Sequence, residues 1–155
     1  MIGRVALIIA SIVVASCASA GPAKRTVDPN GDVVVPYSVD GGGIVRFTVR
    51  PQYVAGQQIA VTLDVVAGSV GIRGPLSGRV QTVGTSGESV VRMLAPTELD
   101  AVDVRPRASA HTVVRWDGRD DAGVPLVPET YSLALDFIVG TQSFRFGTVV
   151  QIVAQ

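Results

Sequence analysis

The feature that most constrains this fold is an alternation of apolar and polar residues with a period of two. It is clearest near the end of the chain, over 131–139 and again over 144–152. Successive side chains of a strand point to opposite faces, so this period predicts two half-buried strands. The pair Gly140 and Thr141 lies between them and predicts that they form a hairpin.

Shorter segments with strand character occupy much of the remaining chain. We expect strands at 33–37, 44–49, 57–67, 70–73, 79–83, 90–94, 102–104 and 111–116. The 29 valines, with 17 glycines and 9 prolines, favour short strands and tight turns. Beyond the first segment, no window of ten or more residues sustains helical spacing. We therefore predict an all-β fold, an immunoglobulin-like antiparallel β-sandwich of about seven to nine strands, with a closed barrel as the alternative.

The composition excludes several classes of protein. The 13 basic and 13 acidic side chains balance, which excludes a nucleic-acid binder that works by neutralising phosphates. The high apolar content argues against disorder. One cysteine and one histidine provide little material for a zinc site or a cysteine nucleophile. No cofactor and no small-molecule substrate is evident from the sequence.

The amino terminus has the form of an export signal. Arg4 supplies one positive charge, 5–14 is an almost unbroken apolar run, and small residues follow. A membrane-spanning helix needs about 20 apolar residues, so this run is too short for one. An export signal is therefore the better interpretation.

Val14-Ala15-Ser16-Cys17 resembles the lipobox of bacterial lipoproteins. The resemblance implies a diacylglyceryl group on the Cys17 thiol, cleavage just before Cys17 and acylation of the new amino terminus. Several acyl chains, at about 0.8 kcal/mol per buried CH₂, would form a durable anchor. Two alternatives remain: ordinary cleavage after 18–20, which has the A-x-A form, and a free thiol buried in the domain.

These features divide the chain into three parts. Residues 1–16 are the predicted signal peptide. Residues 17–43 hold the lipidated cysteine and a tether, with a short edge strand where Pro36 is tolerated. Residues 44–155 form the predicted domain. The expected location is the cell envelope: the periplasmic side of the outer membrane in a two-membrane cell, otherwise the outer face of the plasma membrane.

The segment 111–131 is the most informative part of the domain. Its strand ends at Trp116, whose ring we expect to be buried between the sheets. Asp117-Gly118 and Asp121-Ala122-Gly123 are turn sequences, because glycine adopts positive φ and aspartate caps nearby N–H groups. Tyr131 begins the next strand.

This segment resembles the WDG-x-D-x-x-G…P-x-G-x-Y pattern of two immunoglobulin-like domain families. They are the domain of the flagellar hook-capping protein and the bacterial intracellular proteinase inhibitor domain. The matching positions are Trp116, Asp117, Gly118, Asp120 or Asp121, Gly123 and Tyr131. Glu129 stands where these families carry glycine. The resemblance implies an immunoglobulin-like fold over about 44–140 and gives little information about activity.

Two groups of residues in this segment allow a chemical interpretation. Asp117, Asp120 and Asp121 could converge on calcium, but Arg119 and Ala122 occupy positions where an EF-hand-like loop needs a ligand and a glycine. Turn capping is therefore the prediction for these carboxylates. His111, with no G-x-S-x-G motif and no evident Asp partner, gives no support to a hydrolase triad.

Three functions follow as hypotheses. The first is a non-catalytic binding, accessory or structural module, held on a membrane through Cys17 and contacting another envelope protein. We expect its contacts in the loops around 117–123 or at the sheet edges. The second is a protease inhibitor, suggested by one of the two resemblances. An enzyme is the least supported, since the strand pattern shows no polar cleft.

Overall fold

The computed structural model describes residues 24–83 and 88–155. In chain order its strands are β1 (Thr26–Val27), β2 (Val33–Val39), β3 (Gly43–Val49), β4 (Tyr53–Val54), β5 (Ile59–Val66), β6 (Ile72–Thr82), β7 (Val90–Met93), β8 (Val102–Val104), β9 (Ser109–Trp116), β10 (Thr130–Val139) and β11 (Gln142–Val153). One turn of α-helix, α1 (Pro96–Leu99), precedes β8, and a 3₁₀ turn, Asp40–Gly42, joins β2 to β3. The predicted all-β class is confirmed.

The strands form two sheets that stack as a sandwich. One sheet has the order β1-β2-β3-β5-β9 and the other the order β4-β11-β10-β6-β7, with β8 also paired to β6. The chain crosses between the sheets from β3 to β4 and back to β5, from β5 to β6, from β8 to β9 and from β9 to β10. Apart from the short parallel pair of β4 with β11, the pairings are antiparallel. Sheets of this order joined by crossing connections are the layout of an immunoglobulin-like sandwich.

The core consists of the inward side of each alternating strand. Ile59, Val61, Leu63 and Val65 of β5 are fully buried, as the pattern predicts. The predicted hairpin of β10 and β11 is also present, with Val139 directly opposite Gln142 across the two-residue turn. Buried side chains of both sheets meet in one cluster that includes Phe47, Trp116, Leu133, Leu135, Phe137, Phe144 and Phe146.

The two strands expected at 70–73 and 79–83 are a single strand, so that part of the prediction is wrong. β6 continues through Gly74 and Gly78. A Cβ on Gly74 would lie 2.6 Å from the ring of Phe137, and one on Gly78 would lie 2.8 Å from Leu135. These glycines allow close packing on the core, which is one physical reason for glycine inside a strand.

The strand expected at 33–37 is present as β2 and belongs to the sandwich. Val35, Tyr37 and Val39 are buried in the common core. β1 pairs only with the first two residues of β2, so Pro36 lies where β2 itself forms the edge of the sheet. Proline is tolerated in an edge strand, in agreement with this position.

The loops collect at the two ends of the sandwich. At the Gly41 end, named for one of its residues, the loops 40–42, 67–71, 105–108 and 140–141 are joined by backbone hydrogen bonds. Ser69 donates to the Gly41 carbonyl over 2.8 Å and Arg107 to that of Gly68 over 2.9 Å. At the opposite Asp117 end lie the loops 28–32, 50–58 and 117–129, with 88–89 from the connection before β7.

Candidate functional site

The segment singled out by the sequence forms a loop of defined shape at the Asp117 end. It leaves β9 at Trp116, whose ring is only 2% exposed. Gly118 follows with φ +70°, and a Cβ at that position would lie 2.4 Å from the carbonyl oxygen of Gln57. Glycine is therefore required here by both conformation and space. The contact fixes the start of the loop against the 50–58 loop.

The three aspartates of the loop accept hydrogen bonds from backbone N–H groups. Asp120 Oδ1 accepts from Ala122 and Val124, at 2.9 and 2.8 Å. Asp117 Oδ1 accepts from the N–H of Arg119 at 3.1 Å. This is capping geometry. Within 24–83 and 88–155, no group of three or more acidic, histidine or cysteine side chains is placed to hold a metal ion.

The third carboxylate ties the loop to the edge of the second sheet. Asp121 donates its N–H to the Val91 carbonyl over 3.0 Å, and its Oδ1 accepts from the N–H of Met93 over 3.1 Å. β7 is the last strand of its sheet, and unpaired edge strands favour association with other chains. The loop thus covers part of this edge.

Arg92 strengthens the same junction from the side of β7. Its guanidinium donates to the Asp120 carbonyl over 3.2 Å and pairs with Glu98 at 2.8 Å. The Glu98 hydrogen bond raises the pKa of Arg92. Glu98 also accepts from the Ala95 N–H at the start of α1, which links the helix, β7 and the loop.

Tyr131 fixes the end of the loop. Its ring is 2% exposed, and its hydroxyl donates to the Val127 carbonyl over 3.1 Å. A tyrosine at the start of this strand that bonds back to the preceding backbone is the tyrosine corner of immunoglobulin-like sandwiches. Burial, aided by the charge of Glu129, raises the pKa of the Tyr131 hydroxyl.

Apolar side chains are exposed on and beside this fixed loop. Five of the nine large apolar side chains exposed in the described residues lie here: Val83, Val90, Met93, Val124 and Val127. We call these five residues the Val124 surface. Val127 is 60% exposed although the carbonyl of the same residue is held by Tyr131. Exposed apolar side chains on a rigid backbone are suited to protein contact.

The sequence predicted the turn residues of this loop, but it did not reveal that His111 and Asp64 form a pair. His111 Nδ1 lies 2.9 Å from Asp64 Oδ1, so the histidine does have an aspartate partner. The two residues are directly opposite in the pairing of β5 with β9, on the outer face of the sheet. Only the strand register brings them together. Both side chains are open to solvent, at 62% and 38% exposure.

Two of the hollows elsewhere on the described surface are wide and open to solvent. One, of about 270 Å³, lies at the Gly41 end beside Arg73 and Asp103. The other, of about 250 Å³, lies between β2 and β11. There the Tyr37 hydroxyl donates to the Gly147 carbonyl, and burial, opposed by that bond and by Arg25, raises the pKa of Tyr37.

Comparison with known proteins does not test the resemblance to the lipobox or to the two immunoglobulin-like domain families, which stay predictions. No protein-family model matches the chain, and no curated protein is significantly similar to it. Cys17 and the signal sequence before it lie outside the described residues. Within the part of the chain that is described, no helix has the length and apolar character needed to cross a bilayer.

Proposed function

We propose that this protein is a lipid-anchored envelope protein that acts as a non-catalytic binding or accessory module. The observation that carries the binding role is the Val124 surface. Its loop is held at Gly118, at Asp121 and at Tyr131, so its exposed valines have a fixed position before any partner arrives. A preorganised loop loses little conformational entropy on binding.

The anchoring role is supported by the sequence Val14-Ala15-Ser16-Cys17. Labelled palmitate fed to the native host should enter the wild-type protein and should not enter Cys17→Ser. Equal labelling of the two proteins would contradict the proposed lipid anchor. Accumulation of an uncleaved precursor in the Cys17→Ser strain would add support, because the predicted cleavage depends on the lipidated cysteine.

The binding role can be tested by site-specific photo-crosslinking in the host. A photoreactive amino acid at Val124 should yield a discrete adduct with another envelope protein. The same amino acid at Ser38, exposed on the outer face of the other sheet, is the control and should yield none. Adducts from both positions, or from neither, would contradict a contact surface at Val124.

A protease assay distinguishes the proposed binding role from the inhibitor hypothesis. The purified protein should leave the cleavage of a peptide by a subtilisin-like protease unchanged. Concentration-dependent slowing, abolished by substitutions in the loop 117–129, would replace the accessory role with an inhibitory one.

A further inference from the structure

The charges of the domain are separated between its two ends. The described loops of the Asp117 end carry seven carboxylates, of Asp28, Asp32, Glu88, Asp117, Asp120, Asp121 and Glu129. Against them stand two guanidinium groups, of Arg50 and Arg119. The neighbouring Arg92 and Glu98 neutralise each other as an ion pair. This end is therefore strongly acidic.

The Gly41 end carries a small net positive charge, and because Arg73 is directly opposite Asp103, Arg105 and Arg107 contribute most to it. Arg73, Arg105 and Arg107 are all exposed there, with Asp40 and Asp103 as the acidic side chains. The loop that carries Arg105 and Arg107 is held by backbone hydrogen bonds to the loop 67–71. Its two arginines therefore project from a fixed backbone.

The chain enters the domain in a direction that favours the same end. Thr26 is opposite Val34 and Val27 is opposite Val33. Going backwards from Val27, the chain therefore runs along β2 towards the Gly41 end. Lys24 and Arg25, both exposed, add two positive charges on this path.

We propose that the Gly41 end lies against anionic phospholipid headgroups, with the Asp117 end turned away from the bilayer. This inference rests on the proposed lipid anchor at Cys17, because the seven steps from Cys17 to Lys24 span at most about 25 Å. Each Lys or Arg near an anionic membrane contributes about 1 kcal/mol of attraction, and carboxylates are repelled.

In this orientation the Val124 surface lies at the end of the domain that is far from the bilayer. The eight residues of β9 run from the Gly41 end to Trp116, a length of about 26 Å at 3.3 Å per residue. The Val124 surface would therefore be presented away from the bilayer, where it is open to a soluble or opposing envelope protein.

Energy transfer to the bilayer tests this orientation. The full chain, acylated at Cys17, is placed in vesicles of phosphatidylglycerol and phosphatidylcholine with an acceptor on the headgroups. The donor dye is attached at Ala108→Cys or Ala122→Cys, exposed positions at opposite ends. Because the Cys17 thiol is alkylated, only the introduced thiol reacts. Transfer should be more efficient from position 108 than from position 122.

The ratio of the transfer efficiency from position 108 to that from position 122 should depend on charge. This ratio should fall towards one in pure phosphatidylcholine vesicles, and also at 1 M salt, where the Debye length is about 3 Å. R105E/R107E should have the same effect. The matched control R46E/R115E reverses two exposed charges on the outer face of the β1–β9 sheet and should leave the ratio unchanged.

The outcomes separate this inference from the proposed function. Equal or reversed transfer from the two positions, in protein that floats with the vesicles, overturns the orientation while the anchor stands. A ratio that is unchanged in phosphatidylcholine overturns the role of the headgroup charge without relying on any variant. Protein from the host that carries no lipid and does not float overturns the anchor, and the orientation with it.

Discussion

Trp116 is one of the largest fully buried side chains of the domain and ends β9 at the Asp117 end. Its ring is 2% exposed, and its Nε1 has no hydrogen-bond partner within the described residues, so packing is its main contribution. Trp116→Ala should lower the free energy of unfolding by about 3–5 kcal/mol. Denaturant unfolding followed by circular dichroism measures this. Val127→Ala, at an exposed position, is the control and should change it by less than about 0.5 kcal/mol. A loss below about 1 kcal/mol for Trp116→Ala would contradict a core role.

Glycine is needed for different reasons at Gly118 and Gly123: backbone conformation at both, and lack of space for a side chain at Gly118 alone. Both have positive φ, but only Gly118 has a close neighbour, the Gln57 carbonyl, whereas a Cβ on Gly123 would meet nothing within 4 Å. Gly123→Ala should therefore show only the conformational cost, about 1–2 kcal/mol. Gly118→Ala should cost more, since backbone must also move. Equal losses of unfolding free energy for the two variants would contradict the close approach.

Among the strands and loops, most strand positions were predictable, but of the strand partners only the β10–β11 hairpin was. The alternation at 131–139 and 144–152 marks two strands because each has one buried face, and the short turn between them fixes their pairing. β6 is one strand where the sequence predicts two, because the packing of Gly74 on Phe137 and of Gly78 on Leu135 leaves no local signal in the sequence. The contact of His111 with Asp64 was missed for a related reason: a register between distant strands leaves no local signal.

The β10–β11 hairpin also carries a titratable pair. Asp136 lies opposite Arg145, which donates to its carboxylate over 2.7 and 3.2 Å, and the Ser77 hydroxyl donates as well. Burial alone raises the pKa of a carboxyl, but the Arg145 and Ser77 hydrogen bonds outweigh it here and lower the pKa of Asp136. The ionised form is thus favoured in the folded protein.

The sign of this shift sets the pH dependence of stability. A carboxyl with a lowered folded pKa stabilises above its unfolded value, about 3.9, and loses that contribution as the pH falls through the folded value. Asp136→Asn should therefore be less stable than wild type at pH 7, by less than about 1 kcal/mol because the pair is partly exposed. The difference should vanish near pH 2. Ser77→Ala should show part of the effect, and a difference that stays constant with pH would contradict it.

For the whole molecule, sequence and structure agree on the loop 117–129 but contribute different parts of the candidate site. The turn residues and Tyr131 are visible in the sequence because their chemistry is local. The apolar residues of β7 and the position of Val83 beside the loop depend on which strand forms the edge of the sheet. The Val124 surface as a unit could therefore be recognised only once the two sheets were assembled.

The buried side chains of β2 bear on where the folded domain begins in the chain. The sequence placed 17–43 with the tether because Pro36 and the glycines after it interrupt the pattern. In the structure, β2 buries Val35, Tyr37 and Val39, and the Tyr37 hydroxyl reaches the Gly147 carbonyl of the opposite sheet. Burying such a side chain is worth about 1.5–3 kcal/mol, while a whole domain is stable by only about 5–15 kcal/mol.

A fragment of residues 44–155 should therefore be far less stable than one of residues 24–155, or unfolded. Urea unfolding of the two fragments, followed by circular dichroism, measures the difference. Tyr37→Phe in the longer fragment removes only the hydroxyl bond and should cost about 0.5–1.5 kcal/mol, which separates that bond from the burial of the strand. Equal urea midpoints for the two fragments would mean that β2 is attached to a sandwich that is complete without it. A lower midpoint for the shorter fragment would place the start of the folding unit before residue 44, so that fewer residues are left to span the distance to the proposed lipid.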